Sequence, residues 1–225
     1  MGERQVIILN DGTPHEIGKD FVPSIETIAH ALAYINRYTG HVGQYSVAQH
    51  CVLIAMQLPQ ELKLAGLLHD ATEAYIGDVS APLKRHLPDY KKLEAFYHQV
   101  IDNHFGVDTE HPTIKEYDLR MLIAEFVHFG LPLEYVPDVA PLYSDIEVWS
   151  PECAKEAFLA TYYNLTGKPR PAAARHIEFT CSLIDAHQQN KLHDELAEFD
   201  TTAAQVESIS ASHAESLFIK RLEGK

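Results

Sequence analysis

Apolar residues recur every three to four positions through most of the chain to residue 166, a helical period rather than the alternation of strands. The exception is the start. Val6-Ile7-Ile8-Leu9, a turn signal at Asp11-Gly12 and a possible return at His15-Glu16-Ile17 predict a short β-hairpin within residues 1–20. A helix is then predicted from Ser24 to Arg37, with Ser24 as N-cap and a buried stripe beginning at Thr27 or Ile28. Residues 38–43 read as a loop. Ser46-Val47-Ala48-Gln49 fits a capping box, in which Ser and Gln each satisfy a free backbone donor, and opens a helix that Pro59 ends after Gln57. Glu61 to Tyr75 reads as a helix with a break near Asp70, closed by Gly77. Residues 78–88, with Pro82 and Pro88, read as a loop. Tyr90 to Phe105 and Pro112 to Phe129 are periodic helices ended by Gly106 and Gly130. Residues 131–149 are proline-rich and irregular. Ser150-Pro151-Glu152 starts a helix that runs to Leu165 and closes at Gly167. Lys168-Pro169-Arg170-Pro171 marks a boundary, and weaker helical patterns follow over 173–195 and 201–222. The fold class is therefore all-α: a hairpin over 1–20, a helical domain over 21–167 and a C-terminal helical extension over 168–225, with no internal repeat.

Composition narrows the function. The 225 residues are 46% apolar, enough for a folded core, and carry a formal charge of −14. That charge argues against binding nucleic acid through a broad basic surface. A phosphorylated substrate would need its charge met by a metal ion and a few placed Lys or Arg side chains, and fourteen histidines make a metal plausible. No apolar run reaches membrane-spanning length, and the N-terminal one is too short for a secretory signal, so a cytoplasmic location without a membrane partner is expected. Cys51, Cys153 and Cys181 are far apart and odd in number. They read as small buried hydrophobes rather than a disulfide framework or a zinc motif.

The chemistry is concentrated in Leu67-Leu68-His69-Asp70-Ala71-Thr72-Glu73-Ala74-Tyr75-Ile76-Gly77-Asp78. On a helix, His69 and Glu73 share a face, and Asp70 lies three residues from Glu73. One imidazole and two carboxylates at the end of an apolar helix are costly to bury unless something pairs with them. His50 lies on the stripe of Val47 and Ile54, and Asp118 lies among Ile114, Tyr117, Met121 and Leu122, so both are expected to face inward. One divalent transition metal (Zn, Mn, Co, Fe or Ni) ligated by His50, His69, Asp70 and Asp118 would satisfy all four groups. Each feature has a plainer reading. A His-Asp dipeptide is common by chance, an inward histidine is usually a hydrogen-bonded core residue, and Lys84 and Arg85 taken singly are solvated loop charges. The order and spacing of the set favour the metal.

These residues resemble the HD-domain phosphohydrolases, above all the bacterial 5′-deoxynucleotidases and the related phage deoxynucleotide triphosphohydrolases. The resemblance is carried by Tyr45-Ser46-Val47-Ala48-Gln49-His50, by His69 through Lys84, and by Ile114-Lys115-Glu116-Tyr117-Asp118. It covers residues 21–166. It implies the same four metal ligands, a catalytic Glu73, an Asp78 near the sugar or the reaction centre, and Arg37 as a phosphate-gripping residue. The chain departs from the deoxynucleotidases at Tyr38, where they commonly have tryptophan, and at Gln49, where they have glutamate. The implied function is hydrolysis of a deoxynucleoside triphosphate, dATP first, to deoxynucleoside and triphosphate. Tyr38 would pack on the sugar and Lys84 would reach the phosphate chain, with Mg²⁺ possible on the triphosphate. The alternatives are a 5′-deoxynucleotidase acting on monophosphates, a non-catalytic nucleotide-binding regulator, and a hydrolase of cyclic dinucleotides or guanosine tetraphosphate. The last is weakened by the lack of a second ligand set in this region. The resemblance also implies a homo-oligomer, with residues 151–165 and the segment beyond 173 as candidate interfaces, and a location in the host cytoplasm if the chain is phage-encoded.

Overall fold

The computed structural model describes residues 6–171. The patterns over 173–195 and 201–222, and Cys181, lie outside these residues. The hairpin is present: β1 (Val6–Ile8) pairs antiparallel with β2 (Pro14–Glu16), with Ile7 opposite His15 and Gly12 in the left-handed region at the turn. Among the described residues eight α-helices follow: α1 (Ile25–Tyr34), α2 (Val47–Gln57), α3 (Lys63–Leu67), α4 (Glu73–Ile76), α5 (Ala81–Lys84), α6 (Pro88–Phe105), α7 (Pro112–His128) and α8 (Pro151–Thr166). No described helix is long and apolar enough to cross a membrane.

α2 is the centre of the core. Every residue from Val47 to Ala55 is buried, because α1, α3, α7 and α8 pack around it. A helix enclosed in this way must carry apolar side chains on nearly all faces. Its polar members, Gln49 and His50, therefore need partners inside the protein. Ser46 caps α2 by accepting from the Gln49 backbone N–H at 3.2 Å, which is half of the expected capping box. The other half does not form. Gln49 Nε2 donates to the Glu147 carbonyl at 2.6 Å, and Gln49 Oε1 accepts from the Trp149 N–H at 2.9 Å. The backbone of residues 147 and 149 needs partners where it meets α2, and Gln49 meets that need rather than closing its own helix end.

Several elements differ from the sequence reading. α1 stops at Tyr34 instead of reaching Arg37, because Asn36 forms an antiparallel bridge with Ser46, with Arg37 N–H donating to the Tyr45 carbonyl at 2.9 Å and Val47 N–H to Ile35 at 3.0 Å. α6 begins at Pro88, where the missing N–H costs nothing at the first helical position. Residues 81–84 form the short helix α5 rather than loop. The caps at Ser24, Ser150, Gly106 and Gly167 stand where the sequence placed them.

The hairpin is fastened to the helices through His15, which is buried with its Nε2 2.6 Å from the Tyr97 hydroxyl of α6 and its ring against Phe21 and Tyr75. α8 turns Ala154, Phe158, Leu159 and Tyr162 inward and packs on α1, α2 and α3.

Candidate metal centre

α2, the α3–α4 junction and α7 bring the predicted residues together. His50 and His69 lie with ring centroids 5.3 Å apart. His50 Nε2 is 3.1 Å from Asp118 Oδ1 and 3.8 Å from Asp70 Oδ2, and His69 Nε2 is 3.3 Å from Asp70 Oδ2 and 4.0 Å from Asp118 Oδ1. Donor atoms of His50, His69 and Asp118 all fall within 4.8 Å of one another. Asp70 stands near both imidazoles but falls outside that mutually close set.

The hydrogen-bonding state of the two rings is set from behind. His69 Nδ1 lies 2.8 Å from the Gly66 carbonyl, which only accepts, so Nδ1 carries a hydrogen. His50 Nδ1 lies 2.6 Å from Glu125 Oε1 and donates to it. When neutral, each ring therefore presents a lone pair on Nε2. Both Nε2 atoms are buried and without a well-formed hydrogen bond, although carboxylate oxygens stand close. Orphaned buried nitrogens beside carboxylates are the donor set that a transition metal would satisfy.

The junction between α3 and α4 explains how His69, Asp70 and Glu73 share one locus. The chain leaves the α-helix at Leu68, and Ala71, Glu73, Ala74 and Tyr75 donate to carbonyls three residues back. This is the tighter three-residue turn. Residues three apart eclipse in such a turn, which sets position 73 above 70, whereas the α-helical reading set it above 69. Glu73 is buried with Oε2 unpartnered. Burial, then the Asp70 and Asp78 carboxylates, hold its pKa well above the usual carboxylate range. Asp78 is raised mainly by burial, with Asp70 adding to it and Arg37 opposing. Asp118 is pulled the other way: burial would raise it, but His50, His69 and Arg37 keep it ionised.

Arg37 and Tyr38 stand at the rim, where Arg37 NH1 is 3.7 Å from Asp70 Oδ2. Tyr38 and Thr39 both adopt left-handed backbone, at φ 56° and 54°. This region is unfavourable for a side chain with a Cβ, above all a β-branched one. Lys84 is half-buried and already paired, with Nζ 2.5 Å from Glu94 Oε1 and near the Tyr90 ring. Cys51, read as a buried hydrophobe, is fully buried, and its thiol is held protonated by burial and by Asp70 and Glu73. Its sulfur also falls within 4.8 Å of donor atoms of His69 and Asp70.

Glu125 is the residue that sequence reasoning missed. It is completely buried on α7 and touches His50, Arg37 and Tyr38. Burial would raise its pKa, but Arg37 and His50 bring it down to about 2. A signal for it exists in the chain: Glu125 lies seven residues beyond Asp118, two turns along the same inward stripe.

No family model matches the chain. It is similar to the uncharacterized protein YfdR of Escherichia coli K12, with 46% identity over 118 residues, which are 52% of this chain and 66% of that protein. It is also similar to an uncharacterized protein of Rhodobacter capsulatus, with 40% identity over 86 residues, covering 34% of this chain and 41% of the relative. The chain thus spans less than two thirds of the length of each of these relatives.

Proposed function

We propose that the chain is an HD-type, metal-dependent phosphohydrolase of deoxynucleotides that converts a deoxynucleoside triphosphate, dATP first, to deoxynucleoside and triphosphate. The observation that carries the reading is the pair of buried, unpartnered Nε2 atoms of His50 and His69 facing Asp70 and Asp118. These four side chains would hold one divalent transition metal. When bound, such an ion neutralises phosphate charge and acidifies water.

The remaining roles fall to the chain itself. Glu73 and Asp78 are carboxyls whose environments raise their pKa values, so each can hold or exchange a proton nearer neutrality than an exposed acid. Glu73, beside Asp70, would take a proton from the attacking water. Asp78 would hold the sugar or return a proton to the leaving oxygen. In the net reaction water adds OH to the α-phosphorus, the bond from that phosphorus to O5′ breaks, and O5′ takes up the proton. The Arg37 guanidinium faces Asp70 at the rim and would balance growing phosphate charge. Tyr38 would cover the sugar face. Relatives of the resembled kind self-associate, and a homo-oligomer is part of the reading.

One observation favours a second substrate. Lys84, assigned to the phosphate chain, is engaged with Glu94. If that pair persists with substrate bound, a monophosphate suffices and the enzyme is a 5′-deoxynucleotidase. Incubation with all four dNTPs and dNMPs in Mn²⁺, Co²⁺ and Zn²⁺, with products separated by chromatography, decides between them. Inorganic triphosphate from dATP supports the first reading, and inorganic phosphate from a dNMP supports the second. His69→Ala should abolish both metal uptake and turnover. Retention of both would end the assignment.

A further inference from the structure

Glu125 lies outside the set of residues given a role above, and its contacts are unusual for a single carboxylate. Oε1 accepts from His50 Nδ1 at 2.6 Å. Oε2 accepts from Arg37 Nε at 3.1 Å and from the Tyr38 hydroxyl at 2.5 Å. The side chain has no exposed surface, so water cannot replace any of these partners. It belongs to the same helix as Asp118. α7 thus supplies one carboxylate to the centre directly and a second behind the His50 imidazole.

We infer that Glu125 is a positioning residue that orients a metal-directed imidazole and the phosphate-directed guanidinium together, so that cation affinity and anion affinity both depend on one buried carboxylate. The inference rests on the metal-hydrolase reading and adds a link between its two binding partners. Toward His50, the carboxylate requires a hydrogen on Nδ1 and so leaves the lone pair on Nε2, where Asp70, Asp118 and His69 converge. A carboxylate behind a ligating imidazole fixes both its tautomer and its orientation. Toward Arg37, it engages Nε and leaves Nη1 directed at Asp70. A planar guanidinium tethered at Nε has few remaining orientations.

The chemistry of an amide makes this separable. Glutamine at 125 has one acceptor oxygen and one NH₂. With its oxygen toward His50, its NH₂ opposes the Arg37 Nε–H. With its oxygen toward Arg37, its NH₂ opposes Nδ1–H, and His50 must move its hydrogen to Nε2, which blocks the lone pair. Glu125→Gln cannot serve both sides. Glu125→Asp keeps the charge but is too short to reach both.

The test measures Co²⁺ affinity by visible absorbance from pH 7 to 9.5, comparing the limiting values reached where His50 is neutral, inorganic triphosphate affinity of the metal-free protein by calorimetry, and the His50 tautomer by ¹⁵N correlation spectra. Wild type should bind Co²⁺ with His50 protonated at Nδ1. E125Q should lose on the order of 10- to 100-fold in Co²⁺ affinity or about tenfold in triphosphate affinity, according to which way the amide settles, and the tautomer should report that choice. In an Arg37→Gln background, E125Q should cause no further loss of triphosphate affinity, because its effect there acts through Arg37. Should E125Q not fold, E125D decides, and it should weaken at least one affinity about fivefold or more with an unchanged circular dichroism spectrum. Affinities within about twofold of wild type for both ligands, in either folded variant, would overturn the inference. If wild type takes up no Co²⁺, the metal reading falls and this inference with it. If wild type binds Co²⁺ and the variants match it, this inference alone falls.

Discussion

Metal uptake should depend steeply on pH, and His50 is the reason. Burial and the nearby Arg37 would lower its pKa, but the Glu125 and Asp118 carboxylates prevail and raise it to about 9. A metal can take Nε2 only after the ring loses that proton. At pH 7 the neutral form is then about one part in a hundred, a cost of about 3 kcal/mol against the intrinsic affinity. Apparent affinity should rise about tenfold per pH unit from 7 to 8 and level off near 9. Stability of the metal-free protein should run the opposite way. A histidine raised on folding contributes stability that is fully present below its unfolded value of about 6.5 and lost as pH rises through the folded value of about 9. That contribution is on the order of 3 kcal/mol. Co²⁺ titrations followed by absorbance at half-unit intervals, with denaturant melts of the metal-free protein in the same buffers, measure both slopes. Calorimetry in two buffers of different ionisation enthalpy counts the proton released. A Co²⁺ affinity that is flat between pH 6.5 and 8.5, with no proton released, would refute the assignment of His50 as a charged ligand-in-waiting.

Other consequences are local. Glu73→Gln should leave Co²⁺ binding near wild type but reduce nucleotide turnover by about 10²- to 10⁴-fold, the range for loss of a proton-transferring group. Steady-state rates with Kd measured in parallel check it. Gly66→Ala should destabilise the fold by about 1–3 kcal/mol, read from denaturant midpoints, because a Cβ there would clash with the Leu58 side chain, itself buried, with Ile54 close behind. Thr39→Gly should raise stability by up to about 1 kcal/mol, since it removes a β-branched residue from left-handed backbone at an exposed site. A midpoint lower than wild type would show that the Thr39 side chain is itself held by contacts.

Local signals make much of the centre legible in the amino-acid sequence. His50 and Asp118 are polar residues on apolar stripes, and a polar group in such a place needs a partner whatever the fold. The helix caps at Ser24, Ser46 and Ser150 depend on a few adjacent residues, and those rules hold in any tertiary setting. Where sequence and structure part, a distant partner outweighs a local one. Arg37 is drawn off α1 by the bridge to Ser46, a contact with no trace in the helical period. Gln49 fits a capping box and instead serves residues 147 and 149, about a hundred positions away. The tight turn between Leu68 and Glu73 cannot be told from an α-helix by apolar spacing over so short a span. The Lys84–Glu94 pair depends on how α5 meets α6, which composition does not encode.

The irregular stretch between α7 and α8 is held at its far end and open in its middle. Leu142 donates to the Arg120 carbonyl at 3.0 Å, the Tyr143 hydroxyl to the Leu53 carbonyl at 2.8 Å, and residues 147 and 149 are tied to Gln49. Glu134 and Tyr135, by contrast, are exposed, as are residues 137–140. Lengthening an exposed loop costs little, about 0.6 kcal/mol for each doubling, whereas a single extra residue next to 147–149 would shift the backbone that Gln49 reads. Residues 137–139 are accordingly the place to graft a fluorophore tag or an affinity peptide: the pinned portion beyond them would insulate α2, and with it His50, from whatever is inserted.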